Sequence, residues 1–573
     1  MPTHILGISA LFHDSAAALL RDGEVVAAAQ EERFTRLKHD ASFPVRSAEW
    51  CLARAGIRAG DLDWLVFYEK PLVKFQRILV NSIATFPRGW RTFPRSMQTW
   101  LGEKLWARNR LAVTFGVPPD RILFCEHHLS HAASAFLSSP FDDAAILTVD
   151  GVGEQASTTL WRGRGVGIDP VAEVRFPHSL GLFYSAITAY LGFAVNEGEY
   201  KVMGMAAYGQ PRFREQMDKL LRRDGKGGFD CDLDAFCWHW HATESYTSKL
   251  VDLLGPPRFP GADFDPADPE CRRHADVAAS AQAALEDAMM DLVRHAHATV
   301  GSENLCLAGG VALNSVANTR IAREGPFRHL WVQPAAGDAG GALGSAQWAW
   351  HTLLGNPRAP ELTRLDLGRG WERGEVRKML DELGAKAVEL PEDDVVARAA
   401  EDLAAGKVLG WFDGRDEWGP RALGHRSILA DPRGPEVQAR VNARVKFREL
   451  FRPFAPSVTE EAAPAWFDVP AAAAAPARAM LVTPPALQPD VVPAVVHADG
   501  SARAQVVRAG DHPRYHALLR TFGEATGVPV LLNTSFNLKG DPMVGTPVDA
   551  LAAFQRSDLD ALYIEGFRVE RAR

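Results

Sequence analysis

Three features are scarce in this sequence: cysteine pairs, long apolar runs and net positive charge. The six cysteines are scattered and form no Cys-x-x-Cys motif, so we expect a reducing, cytoplasmic environment without a disulfide framework or a cysteine zinc site. No apolar run reaches the length of a membrane-spanning helix, and polar residues interrupt the N-terminal run, so we expect neither a span nor a signal peptide. The formal net charge of −8 argues against general nucleic-acid binding.

The length and punctuation of the chain predict two domains. A chain of 573 residues is too long for one hydrophobic core. Because the segment after residue 354 is rich in Pro and Gly, we take residues 356–370 as a linker between a first domain, 1–355, and a second domain, 371–573. The Ala- and Pro-rich residues 471–493 are expected to form a mobile surface loop.

Two blocks of the first domain repeat one pattern. In residues 5–30 and again in residues 145–176, an apolar strand, a polar turn and two further strands follow one another. Asp22-Gly23 between apolar runs is a hairpin signal. The repeat is far longer than a solenoid unit, so we predict an α/β domain made of two related subdomains, with a nucleotide bound between them.

Two histidines and two aspartates predict a metal site. His127 and His131 are four residues apart in a stretch that reads as a helix, so both lie on one helical face. Asp150 ends an apolar strand and Asp338 lies in a Gly-rich loop, positions that suit a bound cation. The alternative is that the histidines are ordinary surface residues without a ligand role.

Glycine-rich loops in the first domain predict anion binding. Gly309 and Gly310 follow an apolar strand and open a helix that contains Asn314, and residues 337–341 repeat this pattern around Asp338. A helix start after Gly-Gly leaves backbone N–H groups free to point at a phosphate. Two such loops in tandem favour a cleft for a nucleotide and a metal.

The second domain combines arginine-rich loops with a basic helix. The loop 413–426 is dense in Arg and Gly, and a helix predicted to carry Lys446 and Arg452 ends at Pro453. Guanidinium groups fork onto phosphate and carboxylate oxygens, so converging Arg and Lys side chains suit a polyanionic substrate. The alternative is a solvated network of ion pairs.

Residues 68–106 are aromatic and basic. This composition is typical of a helical surface whose aromatic side chains face the core. The other interpretation is a surface that binds an acceptor or a partner.

Taken together, these motifs resemble the O-carbamoyltransferase family that acts on nodulation factors, cephamycins and aminoglycosides. The resemblance extends over nearly the whole chain. The matching blocks are Phe12-His13-Asp14 and residues 31–39, 127–132, 149–151, 309–314, 337–341, 418–426, 446–453 and 533–537. It implies an actin-like, duplicated, metal-binding first domain and a mixed α/β second domain similar to the threonylcarbamoyl-adenylate synthase fold.

The family reaction implied by this resemblance has two stages. ATP and carbamoyl phosphate give carbamoyl-adenylate in the second domain, with Mg2+ as a further expected ion. The first domain then transfers the carbamoyl group to a hydroxyl of an antibiotic, sugar or glycolipid and releases AMP. A homodimer is a further expectation.

The resemblance also implies roles for individual residues. His13 would lie beside the acceptor hydroxyl, where an imidazole can act as a general base. The metal ligands, with iron or another divalent ion, would be His127, His131, Asp150 and Asp338. The residues that bind the nucleotide and carbamoyl phosphate would be Lys38, Gly151, Gly310, Asn314, Arg421, Lys446, Arg452, Arg503 and Asn533.

Three alternatives stay open at this point. An actin-like small-molecule kinase would explain the repeated hairpins, but not the paired histidines or the second domain. A tRNA threonylcarbamoyladenosine-type enzyme would share the metal site, and the acidic net charge argues against it. A regulatory or scaffold protein would bind nucleotide without turnover.

Overall fold

The chain folds as two units, and a short segment near the N-terminus belongs to the second. The computed structural model describes residues 2–90, 92–102, 104–446, 448–449 and 451–571. The first unit combines Met1–Ala28 with Ala41–Glu361, and the second combines Ala29–Asp40 with Leu362–Arg573. No helix in the described ranges is long and apolar enough to cross a bilayer.

Strands and helices are numbered along the whole chain. The strands are β1 (His4–Ser9), β2 (Ala16–Arg21), β3 (Glu24–Gln30), β4 (Trp64–Phe67), β5 (Ile122–Phe124), β6 (Asp143–Val149), β7 (Ala156–Arg164), β8 (Gly167–Arg175), β9 (Leu221–Arg223), β10 (Phe229–Cys231), β11 (Asn304–Ala308), β12 (His329–Val332), β13 (Ala387–Glu389), β14 (Leu409–Phe412), β15 (Arg426–Ala430), β16 (Ala455–Thr459), β17 (Gln505–Val507), β18 (Val530–Ser535), β19 (Ala561–Ile564) and β20 (Phe567–Val569). The helices are α1 (Glu32–Thr35), α2 (Val45–Ala55), α3 (Pro71–Ala84), α4 (Thr92–Gly102), α5 (Ala107–Phe115), α6 (His127–Phe136), α7 (Leu180–Tyr190), α8 (Glu199–Ala206), α9 (Arg214–Leu220), α10 (Ser248–Leu254), α11 (Pro269–Val300), α12 (Ser315–Glu324), α13 (Asp338–Gln347), α14 (Arg373–Glu382), α15 (Glu392–Ala404), α16 (Glu436–Val441), α17 (Ala463–Trp466), α18 (Ala474–Ala477), α19 (Pro513–Thr526) and α20 (Pro547–Arg556).

Two five-stranded sheets of the first unit have the same strand order, and their central strands pair in the same directions. Their orders are β3-β2-β1-β4-β5 and β8-β7-β6-β11-β12. β1 pairs antiparallel with β2 and parallel with β4, just as β6 pairs antiparallel with β7 and parallel with β11. The predicted mixed α/β class is confirmed, whereas an actin-like duplication stays a prediction. Because ligands collect at the carboxyl ends of parallel strands, a binding site is expected among the residues that follow β1, β4, β5, β6, β11 and β12.

The backbone of α13 packs closely against the backbones of α6 and β1. A Cβ on Gly344 of α13 would lie 1.8 Å from the carbonyl oxygen of Ser130 on α6. A Cβ on Gly7 of β1 would lie 1.9 Å from the carbonyl oxygen of Ala342 on α13. Only glycine allows such approaches, so the small residues in these elements are explained by packing.

The second unit is built on one eight-stranded sheet with apolar side chains on both faces. Its order is β13-β20-β19-β14-β15-β18-β16-β17. Successive strand residues point to opposite faces. Accordingly, Trp411 belongs to the buried apolar cluster that contains Tyr515 and Phe522, whereas Phe412 belongs to the one that contains Val458 and Phe536. The similarity of this unit to the threonylcarbamoyl-adenylate synthase fold stays a prediction.

Two expectations for the second unit were wrong. Residues 471–493 do not form a mobile surface loop: the segment contains α18, and Met480, Leu481 and Val482 are buried. Ala and Pro are small and apolar enough to fill a core, and the composition was mistaken for that of a flexible chain. The helix expected to end at Pro453 does not reach that residue: its last described turn is the π-helix Asn442–Lys446, and residues 448–449 and 451–453 are not helical, so Arg452 lies outside it.

The segment Ala29–Asp40 packs within the second unit although it lies in the range 1–355 assigned to the first domain. The Arg36 guanidinium donates hydrogen bonds to the carbonyl oxygens of Pro542 and Met543. The buried Arg33 donates to the carbonyl oxygen of Gly419 at 3.3 Å. These partners are some four to five hundred residues away, so local sequence patterns do not reveal them.

Replacing Gly344 by Ala should destabilise the first unit, because the added Cβ would collide with the Ser130 backbone. Overpacking of this kind costs roughly 1–3 kcal/mol, which urea titration of the free energy of unfolding would measure. Gly374→Ala is the matched control: Gly374 also lies in a helix, and an added Cβ there meets nothing within 4 Å. Equal stability of the two variants would contradict the close approach of α6 and α13.

Candidate functional site

Four side chains converge where parallel strands of the first unit end. His127 and His131 come from α6, which follows β5, Asp150 follows β6, and Asp338 is the first residue of α13. The His127 Nε2 lies 2.9 Å from Asp150 Oδ2, and the His131 Nε2 lies 3.4 Å from Asp150 Oδ2 and 3.6 Å from Asp338 Oδ1. One donor atom from each of the four lies within 4.8 Å of the others.

The electrostatics of this cluster call for a cation. His127, His131 and Asp338 are buried, and Asp150 keeps a 16% exposed side chain through which a ligand can reach the centre. Burial lowers the pKa of His131, but the nearby Asp150 and Asp338 carboxylates outweigh burial and raise that pKa to about 9. Two carboxylates that meet away from water require a compensating positive charge.

The donor set fits a divalent metal ion. Among the described residues, neither ring nitrogen of the buried His131 has a hydrogen-bond partner. Two imidazoles and two carboxylates are ligands that divalent iron, manganese and zinc accept. An ion held here would satisfy the imidazole and balance both carboxylates, so the residues present fit the predicted metal.

Three residues that sequence reasoning missed support these side chains. Glu154 accepts hydrogen bonds from the His127 backbone N–H at 2.9 and 3.1 Å and from the Lys70 N–H at 2.7 Å, so it caps α6 from a distant turn. Tyr68, directly after β4, donates its hydroxyl to Asp338 Oδ2 at 3.4 Å. The position of Tyr68 at the carboxyl end of a parallel strand was a usable signal, whereas nothing in the sequence marks Glu154 as a cap.

His128 is the third residue that sequence reasoning missed. It lies between His127 and His131 on α6 and is held as a neutral imidazole. Its Nε2 donates to the Ala156 carbonyl oxygen at 2.9 Å, and its Nδ1 lies 2.7 Å from the Thr148 hydroxyl, which donates to it. Burial, followed by the neighbouring His127 charge, lowers the pKa of His128 to about 3. The middle histidine therefore positions α6 and does not face the cluster.

His13 lies in the turn after β1, and Asp14 orients it. The Nδ1–H of His13 donates to Asp14 Oδ2 at 3.0 Å, and the side chain is 23% exposed. Burial lowers the pKa of His13, but Asp338, Asp14 and Asp150 together raise it to about 9. Because carboxylate charge is the cause, a divalent ion at the cluster would favour the neutral imidazole that accepts a proton.

The Gly-rich turn after β11 differs from its prediction. A 3₁₀ turn, Gly310–Leu313, precedes α12, which begins only at Ser315 with Asn314 as its cap. Gly309 adopts a φ of +90°, and a Cβ there would lie 2.2 Å from the Val149 carbonyl oxygen, so only glycine fits at this position. The Gly310 N–H donates to Asp150 Oδ1 at 3.1 Å and fixes that carboxylate.

The other predicted first-unit residues lie near the same turns. The Asn314 side chain accepts a hydrogen bond from the Ala317 N–H and exchanges hydrogen bonds with the Gln282 side chain. The Gly151 carbonyl accepts a hydrogen bond from the Ser179 hydroxyl at 2.7 Å. Lys38 is not among them, because its segment belongs to the second unit.

A buried lysine marks a cationic cluster in the second unit. The Lys446 Nζ donates to Asn537 Oδ1 at 2.7 Å and to Ser535 Oγ at 3.1 Å. Burial, followed by the charges of Arg448, Arg452 and Lys38, lowers the pKa of Lys446 well below its ordinary value. Like charges gathered around a buried amine are stabilised by an anion, which is the ligand class predicted for this domain.

Asn533 gathers the loops that carry the remaining predicted residues. Its amide nitrogen donates to the Ala422 carbonyl, the Ser457 hydroxyl and the Gln505 side chain at 3.0–3.1 Å. Ala422 adjoins Arg421, and Gln505 follows Arg503 by two residues. Asn533 therefore ties together the segments that hold these two arginines.

Other charged residues of the 413–426 loop have structural roles that sequence reasoning did not assign. Arg426 is fully buried, its guanidinium carbon lies 3.5 Å from the centre of the Phe412 ring, and it donates to the carbonyls of Asp413 and Gly414. Glu417 accepts three backbone N–H groups of the loop at 2.8–3.0 Å. These two side chains hold the loop shape and do not face a ligand.

Comparison with known proteins gives two consistent results. The model for the carbamoyltransferase N-terminus matches residues 4–347, and the model for the carbamoyltransferase C-terminus matches residues 400–571. An uncharacterized protein of Synechocystis sp. is 46% identical over 99% of this chain and 96% of its own length. The nodulation protein NolNO of Sinorhizobium fredii is 38% identical over 98% of this chain and 79% of its own length. Solved structures are more distant: T. kodakarensis HypF matches 62% of this chain and 49% of its own with 14% identity and a TM-score of 0.33, too low to carry an argument.

We expect the protein to bind a divalent transition-metal ion, and His131→Ala to weaken that binding at least ~100-fold because a ligand is lost. Anaerobic titration calorimetry with Fe2+ or Mn2+ measures the affinity, and thermal unfolding checks that the variant is folded. His329→Gln is the control, since His329 is exposed on β12. An unchanged affinity in His131→Ala would show that the cluster does not hold the ion.

Proposed function

Because the chain belongs to the carbamoyltransferase family, we propose that it is an ATP-dependent O-carbamoyltransferase that modifies a small-molecule hydroxyl. One observation carries the proposal above all. The chain contains two charged clusters that suit ligands of opposite sign. The buried carboxylate–imidazole cluster suits a cation, and the lysine–arginine cluster suits a polyanion. A reaction that uses a metal and two phosphate-bearing substrates needs both.

The first stage forms the activated carbamoyl donor in the second unit. Carbamoyl phosphate and water give carbamate and phosphate, and the carbamate oxygen then attacks the α-phosphate of ATP. A new C–O–P bond forms, the bond to the β-phosphate breaks, and pyrophosphate leaves. Lys446, Arg452, Arg421 and Arg503 are the cations proposed to hold these anions, because Lys and Arg groups in a water-poor site stabilise phosphate charge strongly.

The second stage transfers the carbamoyl group in the first unit. The acceptor oxygen attacks the carbamoyl carbon, the bond to AMP breaks, and the acceptor proton passes to His13 Nε2. Asp14 holds the Nδ1–H of that imidazole, so the ring presents Nε2 to the hydroxyl as a general base. His127, His131, Asp150 and Asp338 would hold the metal ion, which as a Lewis acid would stabilise the charge that develops at transfer.

Product analysis with ATP and carbamoyl phosphate tests the function directly. Pyrophosphate and phosphate released in equal amounts, with AMP appearing only when an acceptor hydroxyl is present, are the expected products. ADP as the product would indicate an actin-like kinase. A requirement for threonine and bicarbonate would indicate tRNA threonylcarbamoyladenosine chemistry, and nucleotide binding without turnover would indicate a regulatory protein.

His13→Ala should separate the two stages. We expect carbamoyl transfer to fall about 10²–10⁴-fold, the usual contribution of a general base, while pyrophosphate from the first turnover is released at the wild-type rate. The two rates are measured in the same reaction, by chromatography of the carbamoylated acceptor and by a coupled pyrophosphate assay. Loss of pyrophosphate release, or transfer at the normal rate, would contradict the role given to His13.

Arg452→Ala should slow the first stage. A charge-assisted hydrogen bond contributes roughly 1.5–3 kcal/mol, so pyrophosphate release should fall about 10–100-fold. Arg556→Ala is the control, because Arg556 is an exposed arginine of the same unit that pairs with Asp541. Equal rates for the two variants would refute the anion site proposed around Lys446.

A further inference from the structure

Helix α3 turns polar side chains inward and exposes apolar side chains on its opposite side. Lys74, Arg77 and Asn81 lie three or four residues apart and point toward the body of the first unit. Leu72, Val80 and Ile83 lie on the opposite side and are 71%, 59% and 78% exposed. A surface helix ordinarily has the reverse arrangement, with its apolar stripe toward the core.

The inward polar face is specifically bonded. The Lys74 amine pairs with the buried Glu69 carboxylate. The Arg77 guanidinium donates to the Gly153 carbonyl at 3.0 Å and lies over the Phe176 ring, and the Asn81 amide donates to the His239 carbonyl. Because these contacts fix the rotation of α3 about its axis, the exposed apolar stripe is a consequence of defined packing.

Exposed apolar side chains are concentrated in this part of the chain. Among the side chains that the structure describes, 21 large apolar groups are exposed, and nine of them lie between Leu72 and Val113. Phe86 and Trp90 follow shortly after the end of α3 and are 73% and 59% exposed. The expectation that the aromatic side chains of residues 68–106 face the core is therefore wrong for Phe86 and Trp90, although Trp100 is buried. Arg91 of this segment lies outside the described residues.

The charge of this region is opposite to that of the remaining chain. Residues 70–110 contain nine lysines and arginines and one acidic residue. Without Lys74 and Arg77, which point inward, seven basic residues and one acidic residue remain, a net charge of +6 in a chain whose net charge is −8. Exposed aromatic and aliphatic side chains next to Lys and Arg are typical of helices that lie in the plane of an anionic membrane surface. Tryptophan in particular favours the boundary between lipid and water.

We propose that the face formed by Leu72, Val80, Ile83, Phe86 and Trp90 docks on an anionic phospholipid bilayer. This docking face would insert its apolar side chains among the lipid headgroups while the surrounding basic residues attract the anionic surface. A second copy of the chain would bring two strongly basic regions together, and this like charge disfavours such a dimer. The inference goes beyond carbamoyl transfer and does not depend on it.

Vesicle flotation tests the docking face with the intact protein. Wild-type protein should float with vesicles of equimolar phosphatidylcholine and phosphatidylglycerol, but not with phosphatidylcholine alone, and binding should weaken as salt rises. The variant Val80→Ser with Ile83→Ser should bind at least ~10-fold more weakly, because two apolar anchors are lost. Both side chains are exposed, so thermal unfolding of the variant should match that of the wild type.

The matched control is Val388→Ser with Leu487→Ser, which removes two side chains of similar exposure, 56% and 51%, from the second unit. This variant should bind vesicles as the wild type does. Absence of wild-type binding to anionic vesicles, or equal binding by the Val80/Ile83 variant, would overturn the proposal. Sedimentation that shows a wild-type dimer and a monomeric Val80/Ile83 variant would also overturn it, because a second copy would then cover the face.

Discussion

The constraint on which the first unit depends is the meeting of two carboxylates and two imidazoles in a space nearly closed to water. Asp150 and Asp338 repel each other, and burial strengthens that repulsion. The fold supports the arrangement only because α6 and α13 approach closely enough to bring their side chains onto one point. The glycines of α13 follow from this requirement, as does the Glu154 carboxylate that fixes the first turn of α6. The small residues of α13 therefore serve both the packing of the helices and the geometry of the site.

The second unit gathers charges of the opposite sign. It holds a buried lysine among further cations, whereas the first unit holds buried carboxylates. Each cluster is costly alone and would be stabilised by a ligand of the opposite charge, which is the basis of the metal and anion binding proposed for them. In the same unit, two charged side chains have a structural role: Arg426 and Glu417 form hydrogen bonds with backbone groups of their own loop and hold its conformation. Rigid loops position other side chains with less loss of entropy on binding.

The sequence predicted most where the physical signal is local. Apolar runs located β1, β6 and β11, and the four-residue spacing of His127 and His131 put both imidazoles on one face. Contacts between distant segments left no such signal. Nothing in the sequence separates Arg426, whose guanidinium bonds to carbonyls, from an arginine that faces a ligand. The prediction for residues 471–493 was wrong because Ala and Pro occur both in cores and in loops. Lys38 fell in the range predicted for the first domain, but its segment leaves the first unit after Ala28.

That departure of the backbone has a practical meaning for how the protein can be divided. The chain leaves the first unit after Ala28, contributes twelve residues to the second, returns at Ala41, and crosses again only after Glu361. A fragment that starts at Leu362 therefore lacks a segment that packs within its own unit, including the buried Arg33. A fragment that stops at Glu361 retains residues 29–40 without the unit against which they pack. Neither half is a self-sufficient module. Whoever wishes to study one unit in isolation must graft or delete residues 29–40, and not merely choose where to cut.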